Sequence, residues 1–266
     1  MTMVRKTLLL VSASLLAILA VVGCGDNENV VEKEMTWQDY DVGSIIFMDK
    51  NPETLGSAIY HSIIPSPEEF IAGAAREVLE VLYESPKDSI TKVANLFYRL
   101  EDRDGISAKS GGGGNVTIYY STRYVEQSFK DNDTAAVLFE SRGVLLHELT
   151  HAYQLEPQGI GSYGTNKVFW AFIEGMADAV RVAAGGFKGP EARPKGGNYM
   201  DGYRTTGYFL VWLRDNKDPD FLRKFNRSAL EVIPWSFDGA IKHILGYNYD
   251  IDSLWHEYQV AVGDIK

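Results

Sequence analysis

The stretch Gly143-Val-Leu-Leu-His147-Glu148-Leu-Thr-His151-Ala-Tyr153 decides how this chain is read. In a helix, residues four apart share a face, so both imidazoles can point at one cation. Glu148 is then rotated by about 100° from His147, close enough to hold a water beside that cation without binding it. The bland alternative is a surface helix with two solvated histidines flanking a salt-bridging glutamate. Leu145, Leu146, Leu149, Ala152 and Tyr153 leave little polar face for such a helix. A buried histidine pair needs a partner, and a metal is an economical one. The segment predicts a zinc site that hydrolyses peptides, with His147 and His151 as ligands and Glu148 as general base.

Catalytic zinc usually takes three protein ligands and leaves one position for water, so a third donor is needed. Glu174 is the best placed, in Phe169-Trp-Ala-Phe-Ile-Glu174-Gly-Met-Ala-Asp178-Ala-Val-Arg181. The apolar residues there have helical spacing, and Gly185-Gly186 supplies a stop. Glu174 and Asp178 share a face; one carboxylate could bind metal while the other accepts the free ring N–H of a zinc histidine. The competing reading is a solvated Glu-Asp pair balanced by Arg181. Its position one loop (residues 155–165) after the first helix favours the ligand reading. Glu140 and Glu156 lie on or beside the first helix and would reach the same metal with difficulty.

These residues resemble the basic secretory protein family, metallopeptidases of plants and bacteria. The likeness rests on His147-Glu-Leu-Thr-His-Ala-Tyr-Gln154, Phe172-Ile-Glu-Gly-Met-Ala-Asp-Ala-Val-Arg181, Gly202-Tyr-Arg-Thr-Thr-Gly-Tyr-Phe-Leu210 and Leu254-Trp-His-Glu-Tyr258. Upstream, Asp104-Gly-Ile-Ser-Ala-Lys-Ser-Gly111 and Asn115-Val-Thr-Ile-Tyr-Tyr-Ser-Thr-Arg-Tyr124 look like the family's glycine turn and following strand. The resemblance implies a gluzincin-like zinc peptidase, with Glu174 as third ligand and Asp178 as outer support. It also implies that a strand near residues 116–124 borders the cleft, where an unpaired edge would hold an extended peptide. This chain departs from the family name in being acidic, with pI near 5.0.

Arg5 and Lys6 precede an apolar run from Leu8 to Val22, which ends Val21-Val22-Gly23-Cys24. Residues 1–23 read as a lipoprotein signal peptide, with Cys24, the only cysteine, carrying lipid after cleavage. The run is short for a membrane span. A lipid on Cys24 would tether the protein to a membrane of the bacterial cell envelope, periplasmic or surface-exposed. Asp26, Glu28, Glu32 and Glu34 make residues 24–34 an acidic leash, and residues 35–266 form the catalytic domain. Loss of Arg5 and Lys6 would take the formal charge from −10 to −12, which argues against nucleic acid as a partner. The expected partners are a peptide or protein substrate and the membrane, and a monomer is expected. The rival class is a non-catalytic envelope-binding lipoprotein with a structural or relict zinc site. An intact Glu148 argues against it, since a structural site needs no base.

Ser66-Pro67-Glu68-Glu69 reads as a helix start, with the helix running to Leu82 before Pro86. Residues 90–100 and 116–124 are β-branched and aromatic and predict strands. Gly111-Gly112-Gly113-Gly114 lacks the Lys-Ser/Thr ending of a phosphate loop and predicts a flexible turn. The first metal helix is expected from Asp133-Thr134 to Glu156, since Pro157 disfavours helix before it. After a proline-glycine loop (residues 189–197), helices are expected at 203–213, 237–245 and 253–262. The result is an α+β fold, a small mixed or antiparallel sheet followed by a helical half that carries the metal site. Tyr203, in the family-like segment, is the candidate donor to the oxyanion, with Tyr153, Tyr199 and His243 as rivals. His61 and His256 read as structural.

Overall fold

The computed structural model describes residues 34–266; the signal peptide and lipid-bearing Cys24 expected from the sequence lie outside the described residues. Met35–Lys266 cluster as one compact unit. Among the described residues no helix is long and apolar enough to cross a membrane.

Four strands form one sheet in the order β1-β2-β4-β3: β1 (Ser44–Asp49), β2 (Asn95–Glu101), β3 (Ser107–Gly112) and β4 (Asn115–Ser121). β1, β2 and β4 run parallel, and β3 is an antiparallel edge strand. Alternation along β2 and β4 buries Leu96, Tyr98 and Leu100 beside Val116, Ile118 and Tyr120, their register partners. Nine helices surround the sheet among the described residues, so the fold is α+β as expected. They are α1 (Leu55–Ile63), α2 (Pro67–Leu82), α3 (Thr122–Ser128), α4 (Thr134–Tyr153), α5 (Lys167–Ala183), α6 (Tyr203–Asn216), α7 (Phe221–Glu231), α8 (Phe237–Leu245) and α9 (Ile251–Ala261).

Several expected boundaries move, among them the helices expected at 203–213 and 253–262, which run Tyr203–Asn216 and Ile251–Ala261. The strand expected over 90–100 begins only at Asn95, and the one expected over 116–124 ends at Ser121. There Ser121 becomes the N-cap of α3, its hydroxyl accepting from Tyr124 N–H. α4 stops at Tyr153 rather than Glu156. The Tyr153 carbonyl accepts from the Tyr83 hydroxyl at 2.6 Å, and Leu155 N–H donates to Asn226 Oδ1 at 2.9 Å, so the chain is pulled out of helix at Gln154. The tetraglycine closes the β3–β4 hairpin, with Gly113 and Gly114 at positive φ as such turns require. β4 is paired on both sides, so the free edge expected on it belongs instead to β3.

The second half of α4, from Gly143 to Tyr153, is apolar on nearly every side because the helix is central, touching α2, α5 and β3 at once. α5 lies against α4 on one side and packs closely on α6 on the other. Small residues permit that approach. A Cβ on Gly175 would meet Thr206 Cγ2 at 2.3 Å, and one on Gly207 would meet Ala179 N at 2.8 Å. Behind α5, Phe172, Phe225, Trp235 and Phe237 form an aromatic core with ring centroids 4.9–5.8 Å apart. Phe225 contacts the other three. Phe225→Ala is expected to destabilise the protein by about 3–5 kcal/mol, read as the shift in a chemical denaturation midpoint at unchanged slope.

Candidate metal centre

α4 presents His147, Glu148 and His151, and α5 presents Glu174 and Asp178 to the same point. His147 Nε2 and His151 Nε2 are 3.1 Å apart; Glu174 Oε2 is 3.3 Å from the first and 3.6 Å from the second. A tetrahedral ion with donors at about 2.0–2.1 Å has donor–donor edges of about 3.3 Å. The triangle of these three atoms therefore fits one ion, and among the described residues it is the group of donors able to hold one.

The chemistry of the triangle also calls for a cation. Glu174 Oε2 is buried and has no hydrogen-bond partner, a costly state for a carboxylate oxygen. Two imidazole nitrogens at 3.1 Å repel through their lone pairs unless a proton or an ion lies between them. Burial pushes the His147 imidazole toward its neutral form. The neighbouring carboxylates of Asp178 and Glu174 outweigh burial and raise its pKa well above the ordinary range. Burial likewise pushes Glu174 up, but the two histidines overcome it and hold the carboxyl below the usual range. The pocket is anionic and wants positive charge at its centre.

Each donor has its other valence occupied. His147 Nδ1 lies 2.7 Å from Asp178 Oδ1, so in the neutral ring the proton sits on Nδ1 and the lone pair on Nε2. The Gln154 side-chain amide sits 2.9 Å from His151 Nδ1. Gln154 Oε1 is buried and otherwise partnerless; a half-turn of the amide lets it accept from Nδ1–H and frees Nε2. Tyr163, in the loop between α4 and α5, donates its hydroxyl to Glu174 Oε1 at 2.6 Å. Ser107 of β3 donates its hydroxyl to Glu148 Oε1. Glu148 stands beside the triangle, buried, and outside the donor set. The Glu174–Asp178 pair is not balanced by Arg181, which turns away to Glu140 at 3.1 Å.

Tyr203 opens α6 at φ +42°, and its ring lies nearly parallel to His147, with centroids 5.9 Å apart. Burial, followed by Glu174, Asp178 and Glu148, raises its phenol pKa, so the group remains an O–H donor. Two cavities, about 920 Å³ and about 350 Å³, meet at Ser107, His147, Glu148 and Tyr203, so the cleft extends to both sides of the triangle. None of the rival donors lines either cavity. Tyr153 is in the core, donating to Val42 O; Tyr199 packs on Phe237 and Trp255; His243 pairs with Glu231 at the surface. His61 binds Asp49 at 3.0 Å, a structural contact as expected.

Sequence reasoning missed Ser107, Gln154 and Tyr163. Gln154 carried a usable signal, being three residues from His151 and hence on its face of the helix. Ser107 and Tyr163 sit on an edge strand and in a loop, where no periodicity announces a direction.

A sequence profile of the family described as peptidase of plants and bacteria (BSP) matches residues 43–258, which include every residue of the centre. No curated protein and no solved structure matches the chain. Asp178→Asn removes the charge behind His147 while keeping its shape. Affinity for a divalent ion, measured with zinc by competition with a chromophoric chelator, is expected to fall by about 10–100-fold.

Proposed function

The chain belongs to the peptidase family of plants and bacteria, and we propose that it is a zinc-dependent peptidase of the cell envelope. The observation that carries this reading is the triangle of His147, His151 and Glu174 donors with the Glu148 carboxylate next to it, in a cleft open on two sides. When bound, zinc supplies Lewis acidity to a carbonyl and to a water beside it.

The chain's own groups do the rest. Glu148 accepts the proton of the attacking water and delivers it to the leaving amine. Ser107 holds one oxygen of that carboxylate, so the other faces the cleft. Asp178 keeps His147 in the donor tautomer. The Tyr203 hydroxyl donates to the oxygen on which negative charge develops. An extended substrate adds to the free edge of β3, where Ser107, Ala108 and Lys109 line the smaller cavity, and main-chain hydrogen bonds hold it. Lipid on Cys24 ties a monomeric catalytic unit, residues 35–266, to a membrane through the acidic leash. The net negative charge disfavours nucleic acid as a partner.

Glu148→Gln is expected to keep its zinc while kcat/KM for peptide cleavage drops by about 10²-fold or more. Cleavage at the wild-type rate would exclude Glu148 as the base, and an unchanged zinc content in His151→Ala would exclude the centre itself. For the anchor, Cys24→Ser should move the protein from the membrane fraction to the soluble fraction and abolish incorporation of labelled fatty acid.

A further inference from the structure

The loop between α4 and α5 is more than a connector. Its start is pinned to the helical half: Gln158 N–H donates to Ala229 O, and Trp235 N–H donates to Gln158 O, both at 3.0 Å. Its end is a tight turn. Ser162 N–H donates to Thr165 Oγ1, while Thr165 and Asn166 N–H both return to Ser162 O, all at 3.0 Å. Asn166 ties the turn to both neighbours, donating from Nδ2 to Ile160 O at 2.7 Å and capping α5 through Oδ1. Gly161 enters the turn at φ +92°, a conformation any side chain would strain.

Tyr163 stands at the apex of this turn. It is 47% exposed, yet its hydroxyl reaches a carboxylate that is only 4% exposed. A half-exposed phenol on a slack loop would not hold such a bond, and the hydrogen bonds above are what fix it. The consequence falls on Glu174. Its Oε1 is satisfied by Tyr163, and its Oε2, left without a donor, faces the two imidazoles. Without the phenol Oε1 would lose its donor, and Oε2 would keep only its contacts with the two histidines at 3.3 and 3.6 Å. The carboxylate would then turn toward whatever donor it could reach.

We propose that Tyr163 is a positioning residue for the metal centre: it takes one oxygen of Glu174 and so aims the other at the ion. The proposal rests on the zinc reading above. It makes the α4–α5 loop part of the metal site, although the loop supplies no ligand.

The test is zinc affinity of the full-length protein in detergent, by equilibrium competition with a chromophoric chelator. Tyr163→Phe keeps the ring and loses the hydroxyl. It is expected to weaken zinc binding by about 10–100-fold while the thermal midpoint of the zinc-free protein stays at the wild-type value. Because the phenol acts through Glu174, the same substitution should have no further effect in a Glu174→Ala background. Wild-type or tighter affinity in Tyr163→Phe overturns the proposal, as does an equal loss in both backgrounds; neither result touches the zinc reading. A folded wild-type protein that binds no zinc overturns both. Tyr247→Phe, at a side chain 90% exposed and outside both cavities, serves as a control and should bind zinc as the wild type does.

Discussion

The constraint on which this structure turns is the burial of three lone-pair donors among apolar neighbours. His147, His151 and Glu174 sit on two helices whose other faces are packed with Leu, Val, Phe and Ala side chains. An isolated carboxylate oxygen in such a place costs several kcal/mol unless it is paired. The fold accepts that cost at one atom, Glu174 Oε2, and saturates almost everything around it. A protein that only needed two helices to pack would not leave that oxygen bare. An aliphatic side chain at position 174 would do the packing without the penalty.

Four partners share the work of saturation, and they come from four different places. Asp178 is one helical turn beyond Glu174, Gln154 is the last-turn neighbour of His151, Tyr163 sits in the connecting loop and Ser107 comes from the edge strand. Each takes one valence of a functional side chain and leaves the other pointing inward. The directions of the lone pairs are thus set by packing rather than left to an incoming ion. Preorganisation of this kind keeps donors within a few tenths of an ångström of their working positions.

What the sequence made legible follows from the same distinction. The helices announced themselves through period and punctuation: α2 by its proline at the first turn, α5 by Gly185-Gly186, α8 by residues 237–245 without adjustment. His147, Glu148, His151, Glu174 and Asp178 were legible because i, i+4 spacing on a helix fixes relative direction, and the structure brings all five together. β1, β3, α1, α3 and α7 went unread; all but the 11-residue α7 are short elements, too brief for a period to declare itself. The family resemblance puts the free edge on the strand at 116–124, and the glycine run reads only as a turn. In fact it folds β3 back onto β4 and moves the free edge one strand outward. Strand order is a tertiary property, and no local pattern in residues 107–121 encodes it.

That outward shift places Ser107 where it can matter. β3 is the strand nearest α4, and Ser107 is its first residue, so the hydroxyl reaching Glu148 and the backbone edge flanking the cleft belong to one rigid ribbon. The Glu148 carboxylate and the free backbone edge are therefore held by the same strand. On the opposite wall, the close α5–α6 packing at Gly175 and Gly207 sets where α6 begins, and hence where Tyr203 lies over His147. The cleft is bounded by the sheet on one side and by the helical half on the other. The two helices carrying the donors supply its remaining lining, so a change in packing on either wall alters the shape of the cleft around Glu148.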